Sequence, residues 1–279
     1  MAIEDPSSHR LSRRKPHWHL SAGAIKHFYQ AGFLVIPGVF TPREVRLISL
    51  ATDRLKATAY RLGQTQLHQG TQFVLGTLGS KGSGQAKVQI QRVVWAGSCE
   101  PALSAFGQDP RLVSLAAQLL GSPVLEQLIN QVHFKEPGDG VAFEWHQDSR
   151  HRRYGTDQWR DLNGAGSFVE LITAIDAMGP HNGGLKVIPG SALFGHIEPI
   201  ADGRSLPPGS FNPDAAICPL LAAGDVLCLH PFTIHGSGRN ESKGPRRLFL
   251  NGFALPGANH RQYPGKGAGR RVCQSPQPV

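Results

Sequence analysis

From Leu128 onward the chain breaks into short apolar or alternating runs, and this change of texture limits the folds open to it. The runs are LINQVHF (128–134), SFVELITAID (167–176), LKVIPG (185–190), DVLCLH (225–230) and RLFLNGF (247–253), separated by Gly, Pro and Asn turns. Runs of this length, rich in β-branched residues and bounded by turn formers, read as strands. The 33 glycines and 21 prolines supply the turns that many short strands require. Upstream the signals are helical. A mainly β fold of the α+β kind follows, with a barrel or jelly-roll core and a helical layer packed on its outside. A length of 279 residues fits one such domain over 21–279 after a flexible tail, 1–20.

The helices announce themselves by their caps. Ser21 can cap a helix through about Gln30 that Gly32 ends. Thr41-Pro42-Arg43-Glu44 is a capping box with proline at the first helical position, predicting a helix to about Tyr60. Asp109-Pro110 opens a third, LVSLAAQLL, stopped by Gly121. Between the second and third lies the Gly-, Gln- and Ser-rich stretch Arg61–Gln91, expected to be a disordered loop or a functional lid.

Composition excludes several classes. No run approaches the roughly 20 apolar residues of a membrane helix, and the basic N-terminal residues are not followed by the apolar segment of a secretory signal. Cys99, Cys218, Cys228 and Cys273 lack paired spacing, so they read as free thiols of a reducing, cytoplasmic compartment. The net charge of +9 gathers in Arg10–Lys15 and in Lys266, Arg270 and Arg271, which read as solvated basic tails. No nucleic-acid-binding signature accompanies it. An anionic small substrate fits the charge equally well. Oligomeric state is not legible.

The chemistry lies in three residues. Two histidines and one carboxylate can hold Fe(II) by one face, leaving the other positions open. Their sequence form is His-x-Asp/Glu beside one strand and a second histidine on a later one. By chance alone about one His-x-Asp/Glu is expected in a chain of this composition, and two occur, His146-Gln147-Asp148 and His196-Ile197-Glu198. The first follows Phe143 and Trp145 after a Gly-rich turn, as a strand entering a barrel mouth would. The second sits between Pro189-Gly190-Ser191 and Pro199, in a loop. For the distal ligand, His235 is preferred to His230 because eleven residues beyond it Arg246 opens a strand. A guanidinium there can clamp a carboxylate in two parallel hydrogen bonds.

These residues, with HFYQAGFLVIPGVFTPREV, PRLVSLAAQLLG, FEWHQDS, NGGLKVIPGS and IHGSGRN...RRLFLNGFA, resemble the phytanoyl-CoA dioxygenase family of iron(II)/2-oxoglutarate oxygenases over residues 25–255. The resemblance implies a double-stranded β-helix, cupin-like. It makes His146, Asp148 and His235 the ligands of Fe(II), with Arg246 on the far carboxylate of 2-oxoglutarate and Ser237 assisting. The implied reaction consumes O2 and 2-oxoglutarate, releases succinate and CO2, and hydroxylates a small substrate such as a natural-product intermediate, an amino-acid-like molecule or a phosphonate. Asp148 speaks against a halogenase, which needs that carboxylate removed. Members acting on phytanoyl-CoA carry an aromatic near Ile172, which weakens the acyl-CoA alternative. A catalytically silent binding barrel and a zinc hydrolase are the remaining rivals; the intact triad with Arg246 opposes both.

Smaller expectations complete the reading. Arg247 adjoins Arg246, and on an alternating strand only one of them faces the interior. Gln131, His133 and Lys135 alternate along one strand and share a face; Gln131 is the first choice to touch 2-oxoglutarate. The cluster Arg150-His151-Arg152-Arg153 reads either as substrate recognition or as a solvated turn. Trp95, Trp145 and Trp159 read as core or rim packing, and His68 as a loop residue. Ala192 stands where the family often has His, with no expected effect on the metal.

Overall fold

A computed structural model describes residues 19–78, 87–201, 205–260 and 270–273. Helix α1 (Ala22–Ala31) is capped by Ser21, whose hydroxyl accepts from the Ala24 N–H, and ends at Gly32 with φ 85°. Helix α2 (Pro42–Leu62) carries the full capping box: Glu44 accepts from the Thr41 N–H at 2.7 Å while Thr41 Oγ1 accepts from the Glu44 N–H at 3.3 Å. Helix α5 (Pro110–Leu120) starts at Asp109 and stops at Gly121. Two short helices, α3 (Ala96–Cys99) and α4 (Pro101–Gly107), precede it.

The stretch Arg61–Gln91 is not the long loop or lid that its composition suggested. After α2 come strands β2 (Gln66–His68), β3 (Thr71–Leu78) and β4 (Lys87–Val94), which extend the main sheet; residues 79–86 lie outside the described part. The polar composition hid a period-2 pattern in which Thr71 and Phe73 are buried. His68 accordingly sits in a strand, edge-on to Phe73. Of the tail expected over 1–20, only His19 and Leu20 are described, and Leu20 is buried. Arg270 and Arg271, expected in a basic tail, belong to strand β12 (Arg270–Cys273), paired with β5 (Val124–Lys135).

The remaining strands make two antiparallel sheets: β1 (Phe33–Ile36), β6 (Phe143–His146), β7 (Phe168–Ala174), β8 (Leu185–Val187), β9 (Val226–Leu229), β10 (His235–Ser237) and β11 (Arg246–Ala254). The large sheet runs β1-β9-β7-β11-β5-β4-β3-β2, and the small one β6-β10-β8. Alternation along β11 divides two cores. Phe249 and Phe253 pack outward with Val132, Phe134, Ile48, Leu55 and Leu115 against the helices. Leu248 and Leu250 face inward with Ile172, Leu229 and Val187, toward the small sheet. Two sheets facing each other under a helical cover are the jelly-roll core with its outer layer. No helix among the described residues is long and apolar enough to cross a membrane.

The tryptophans take the packing roles expected of them. Trp95 and Trp159 are buried, Trp159 edge-on to Phe168, and Trp145 rests on Phe211. Cys99, Cys218 and Cys228 are free thiols.

Candidate metal centre

The pairing of β6 with β10 sets His146 directly opposite His235, and Val187 of β8 pairs with His235 on its other side. Asp148 follows His146 across one residue and opens the short helix α6 (Asp148–His151). That intervening residue pins the motif. Gln147 is buried, and its side chain donates to the carbonyls of Gly195 (2.8 Å) and Phe232 (2.7 Å) and accepts from the Ile197 N–H (2.8 Å). Both of its donors and its carbonyl oxygen are engaged, tying the 195–197 and 232 loops to the site.

The candidate ligand atoms of His146, Asp148 and His235 lie within 4.8 Å of one another. The Nδ1 of His146 lies 2.7 Å from the Glu144 carbonyl, and that of His235 lies 2.9 Å from the Thr233 carbonyl. A carbonyl can only accept, so both Nδ1 atoms donate and Nε2 is the nitrogen each ring offers a metal. Burial, then the neighbouring His235, lowers the His146 pKa to about 3, keeping it neutral. Burial opposes ionisation of Asp148, but His235, Arg152, His146 and His151 outweigh it and hold its pKa below the ordinary carboxylate range. Neutral imidazoles and an ionised carboxylate are the forms that bind a metal. The donor set fits Fe(II), and nothing in it supplies the thiolates of a structural zinc site.

The rejected alternatives lie elsewhere. His230 is buried among Phe28, Tyr29 and Phe232, accepts from the Phe232 N–H, and has its pKa lowered to about 4 by burial. It is a neutral core residue. His196 bonds Ser149 at 2.7 Å and lies 3.4 Å from Glu198, outside the cluster.

A cavity of about 260 Å³ opens beside the triad, lined among others by Gln131, Ile172, Ser237 and Arg246. Alternation on β11 separates the two arginines. Arg246 points inward and is 1% exposed; Arg247 points outward, clamped by Asp176 (both contacts 2.8 Å) and by Asp53 at 2.8 Å. Among the described residues the Arg246 guanidinium has one hydrogen-bond partner, the Gly183 carbonyl at 2.9 Å, and its Nε has none. In register with it on β5 is Lys135, whose ammonium donates to Ser237 Oγ (2.7 Å) and to the carbonyls of Gly183 (3.2 Å) and Gly238. Burial, then Arg246, brings the Lys135 pKa down to about 7; burial lowers that of Arg246 to about 10. Two buried cations without an acid in hydrogen-bond contact are costly unless an anion joins them. Gly183 allows the approach: with φ 71°, a Cβ there would lie 2.9 Å from both Gly238 O and Lys135 Cδ.

Lys135 thus stands with Arg246 at the cationic end, behind Ser237. Gln131 lines the cavity wall with no hydrogen bond among the described residues. The basic cluster divides. Arg153 is exposed, whereas Arg152 is buried, stacked on Phe168 at 4.6 Å and 3.8 Å from Glu170. Glu170 and Arg92, which line the same cavity, were missed by the sequence reading. Glu170 lay inside an apolar run, and Arg92 just past a stretch taken for loop.

Comparison with known proteins agrees with this geometry. The profile of the family described as Phytanoyl-CoA dioxygenase (PhyH) matches residues 28–248. The chain is 26% identical over 247 residues to the "Probable alpha-ketoglutarate-dependent hypophosphite dioxygenase" of Stutzerimonas stutzeri, covering 84% of this chain and 78% of that protein. It is 32% identical over 162 residues to the L-proline trans-4-hydroxylase of Streptomyces griseoviridis, covering 50% of this chain and 58% of that protein. Among solved structures, EvdO2 from Micromonospora carbonacea var. aurantiaca complexed with 2-oxoglutarate superposes with TM-score 0.65 at 20% identity, over 88% of this chain and 96% of that one. EctD from S. alaskensis with 2-oxoglutarate and 5-hydroxyectoine gives 0.64 at 20% identity, over 91% and 82%.

Proposed function

The chain belongs to the phytanoyl-CoA dioxygenase family and is an iron- and 2-oxoglutarate-dependent dioxygenase, and from that premise we propose that it hydroxylates a small molecule bearing an oxyanion. The observation that carries the proposal is the arrangement of charge. A metal-competent triad stands on one side of a cavity of about 260 Å³, and the buried Arg246 stands on another beside Ser237, whose hydroxyl oxygen accepts from the Lys135 ammonium behind it. In this reading His146, Asp148 and His235 hold Fe(II). Arg246 receives the distal carboxylate of 2-oxoglutarate, and Ser237, oriented by the Lys135 ammonium, donates its hydroxyl to the same group.

Iron, when bound, supplies the oxidative decarboxylation of 2-oxoglutarate to succinate and CO2 and the hydroxylation coupled to it. The protein's own share is positional. The two Nδ1 bonds fix both imidazoles, Gln147 fixes the turn between His146 and Asp148, and Leu248, Leu250 and Ile172 keep the interior apolar. A cavity just below the usual ligand range of roughly 300–1,000 Å³ supports a small substrate over an acyl-CoA. Relatives act on hypophosphite, L-proline and ectoine, each of which carries an oxyanion. We read residues 21–279 as one oxygenase domain and place it in the cytoplasm.

The test is a succinate-release screen of the Fe(II)-reconstituted protein over hypophosphite, L-proline, ectoine and anionic natural-product intermediates. Substrate-dependent succinate with at least one oxyanion is expected. Stimulation only by control molecules that lack a carboxylate or phosphorus oxyanion would overturn the substrate class.

A further inference from the structure

We propose that Arg92 is the receptor for the substrate's oxyanion, a carboxylate or a phosphorus oxyanion, at a place in the cavity separate from the cosubstrate anchor. The inference rests on the hydroxylase reading above and adds where that substrate is gripped.

Arg92 is anomalous among the partly buried arginines. Arg111 is held by Asp109 and Glu44, Arg247 by Asp176 and Asp53, Arg152 lies beside Glu170, and Arg246 bonds the Gly183 carbonyl. Arg92 has no hydrogen bond or ion pair among the described residues, although it is half-buried and lines the cavity. Burial lowers its pKa, with no acid pulling the other way. A guanidinium taken from water without a partner costs free energy that an incoming anion returns.

The surroundings fit an anion. Arg92 pairs in register with His133 on β5, and Val94, the next inward residue of β4, pairs with Gln131. His133 is stacked on Phe143 with ring centroids 4.9 Å apart, and its Nε2 is buried with no hydrogen-bond partner among the described residues. Burial, then Arg92, Arg246 and Lys135, keeps this imidazole neutral. Gln131, His133 and Arg92 thus present an amide, a neutral ring nitrogen and a cation on adjacent strands of one wall.

The backbone sets Arg92 apart from the cosubstrate anchor. One carboxylate of 2-oxoglutarate belongs with the metal and the other with Arg246. Arg92 shares a rung with His133 and with Leu248 of β11, two residues along from Arg246. That separation is about 10 Å across two strand spacings and about 7 Å along the strand. A second anion is needed to neutralise it.

The probes are sodium phosphite and sodium acetate, each titrated anaerobically into protein loaded with Fe(II) and 2-oxoglutarate, followed by calorimetry and by the visible charge-transfer band. At least one probe should bind the wild type. Arg92→Met should weaken that binding by about tenfold or more while leaving the 2-oxoglutarate midpoint within about twofold, and Arg92→Lys should recover part of the loss. Preference for phosphite marks a tetrahedral oxyanion, and preference for acetate marks a carboxylate. Thermal unfolding of both variants checks that they fold. The proposal is overturned if neither probe binds the wild type, or if R92M and R92K both keep wild-type anion affinity. It is also overturned if R92M weakens 2-oxoglutarate instead, which would make Arg92 part of the cosubstrate anchor. A wild type that forms no Fe(II)–2-oxoglutarate complex removes the hydroxylase reading itself, which separates the two failures.

Discussion

Asp148→Ala is expected to abolish catalysis, with succinate formation falling by at least about 10³-fold and Fe(II) affinity by more than about 10²-fold. The reason is the absence of a substitute. Loss of a group that merely orients a metal ligand costs about 10–100-fold in affinity or activity, so loss of the ligand itself must exceed that. Glu170 is the only other carboxylate that lines the cavity among the described residues. Its pKa is raised well above the usual range first by burial, a cause that persists when the Asp148 charge is gone and still opposes its ionisation in the variant. Asp148→Asn preserves shape and removes charge. If it loses iron as alanine does while its unfolding midpoint stays near wild type, charge is the cause. Iron content and anaerobic Fe(II) titration read the effect directly, and retention of wild-type affinity by both variants would contradict it.

Arg246→Ala should raise the dissociation constant for 2-oxoglutarate by about 10²–10³-fold, the equivalent of about 3–4 kcal/mol, within the roughly 3–5 kcal/mol lost when one partner of a buried charge pair is removed. Arg247→Ala is the informative contrast, because the two side chains are adjacent in sequence and opposite in space. Arg247 is bound to Asp176 and Asp53 on the outer face, so its loss should lower stability and leave 2-oxoglutarate affinity within about threefold. Calorimetric titration of both variants in Fe(II)-loaded protein measures this. The reverse pattern would move the anchor to Arg247.

Much of this was legible in the sequence because the informative features are local. Caps at Ser21, Thr41 and Asp109 and stops at Gly32 and Gly121 are short-range hydrogen-bond and φ requirements, and each helix lies where they put it. The triad was legible for a different reason: His146 and Asp148 are two apart, and His235 stands at a fixed step from Arg246. What sequence could not resolve was orientation across strands. Lys135 and Gln131 have the same parity on β5, and only the pairing of Lys135 with Arg246 puts it at the cationic end. The strands of 66–94 escaped notice because Gln, Gly and Thr interrupt their apolar residues, and burial of Thr71 and Phe73 depends on partners on other strands. Arg92 was lost with them. Glu170 was masked by its neighbours, since a single carboxyl in FVELITA does not alter the apolar signal of a strand buried on both faces.

The central claim is that His146, Asp148 and His235 together hold one Fe(II) that 2-oxoglutarate joins. Anaerobic addition of Fe(II) and then 2-oxoglutarate to the metal-free protein, followed in the visible spectrum, tests it most directly. A weak charge-transfer band saturating at about one equivalent of iron, the stoichiometry of a single three-ligand site, and missing in His146→Ala, Asp148→Ala and His235→Ala, is the predicted result. A band of wild-type intensity in any one of these variants, or none in the wild type, would contradict it.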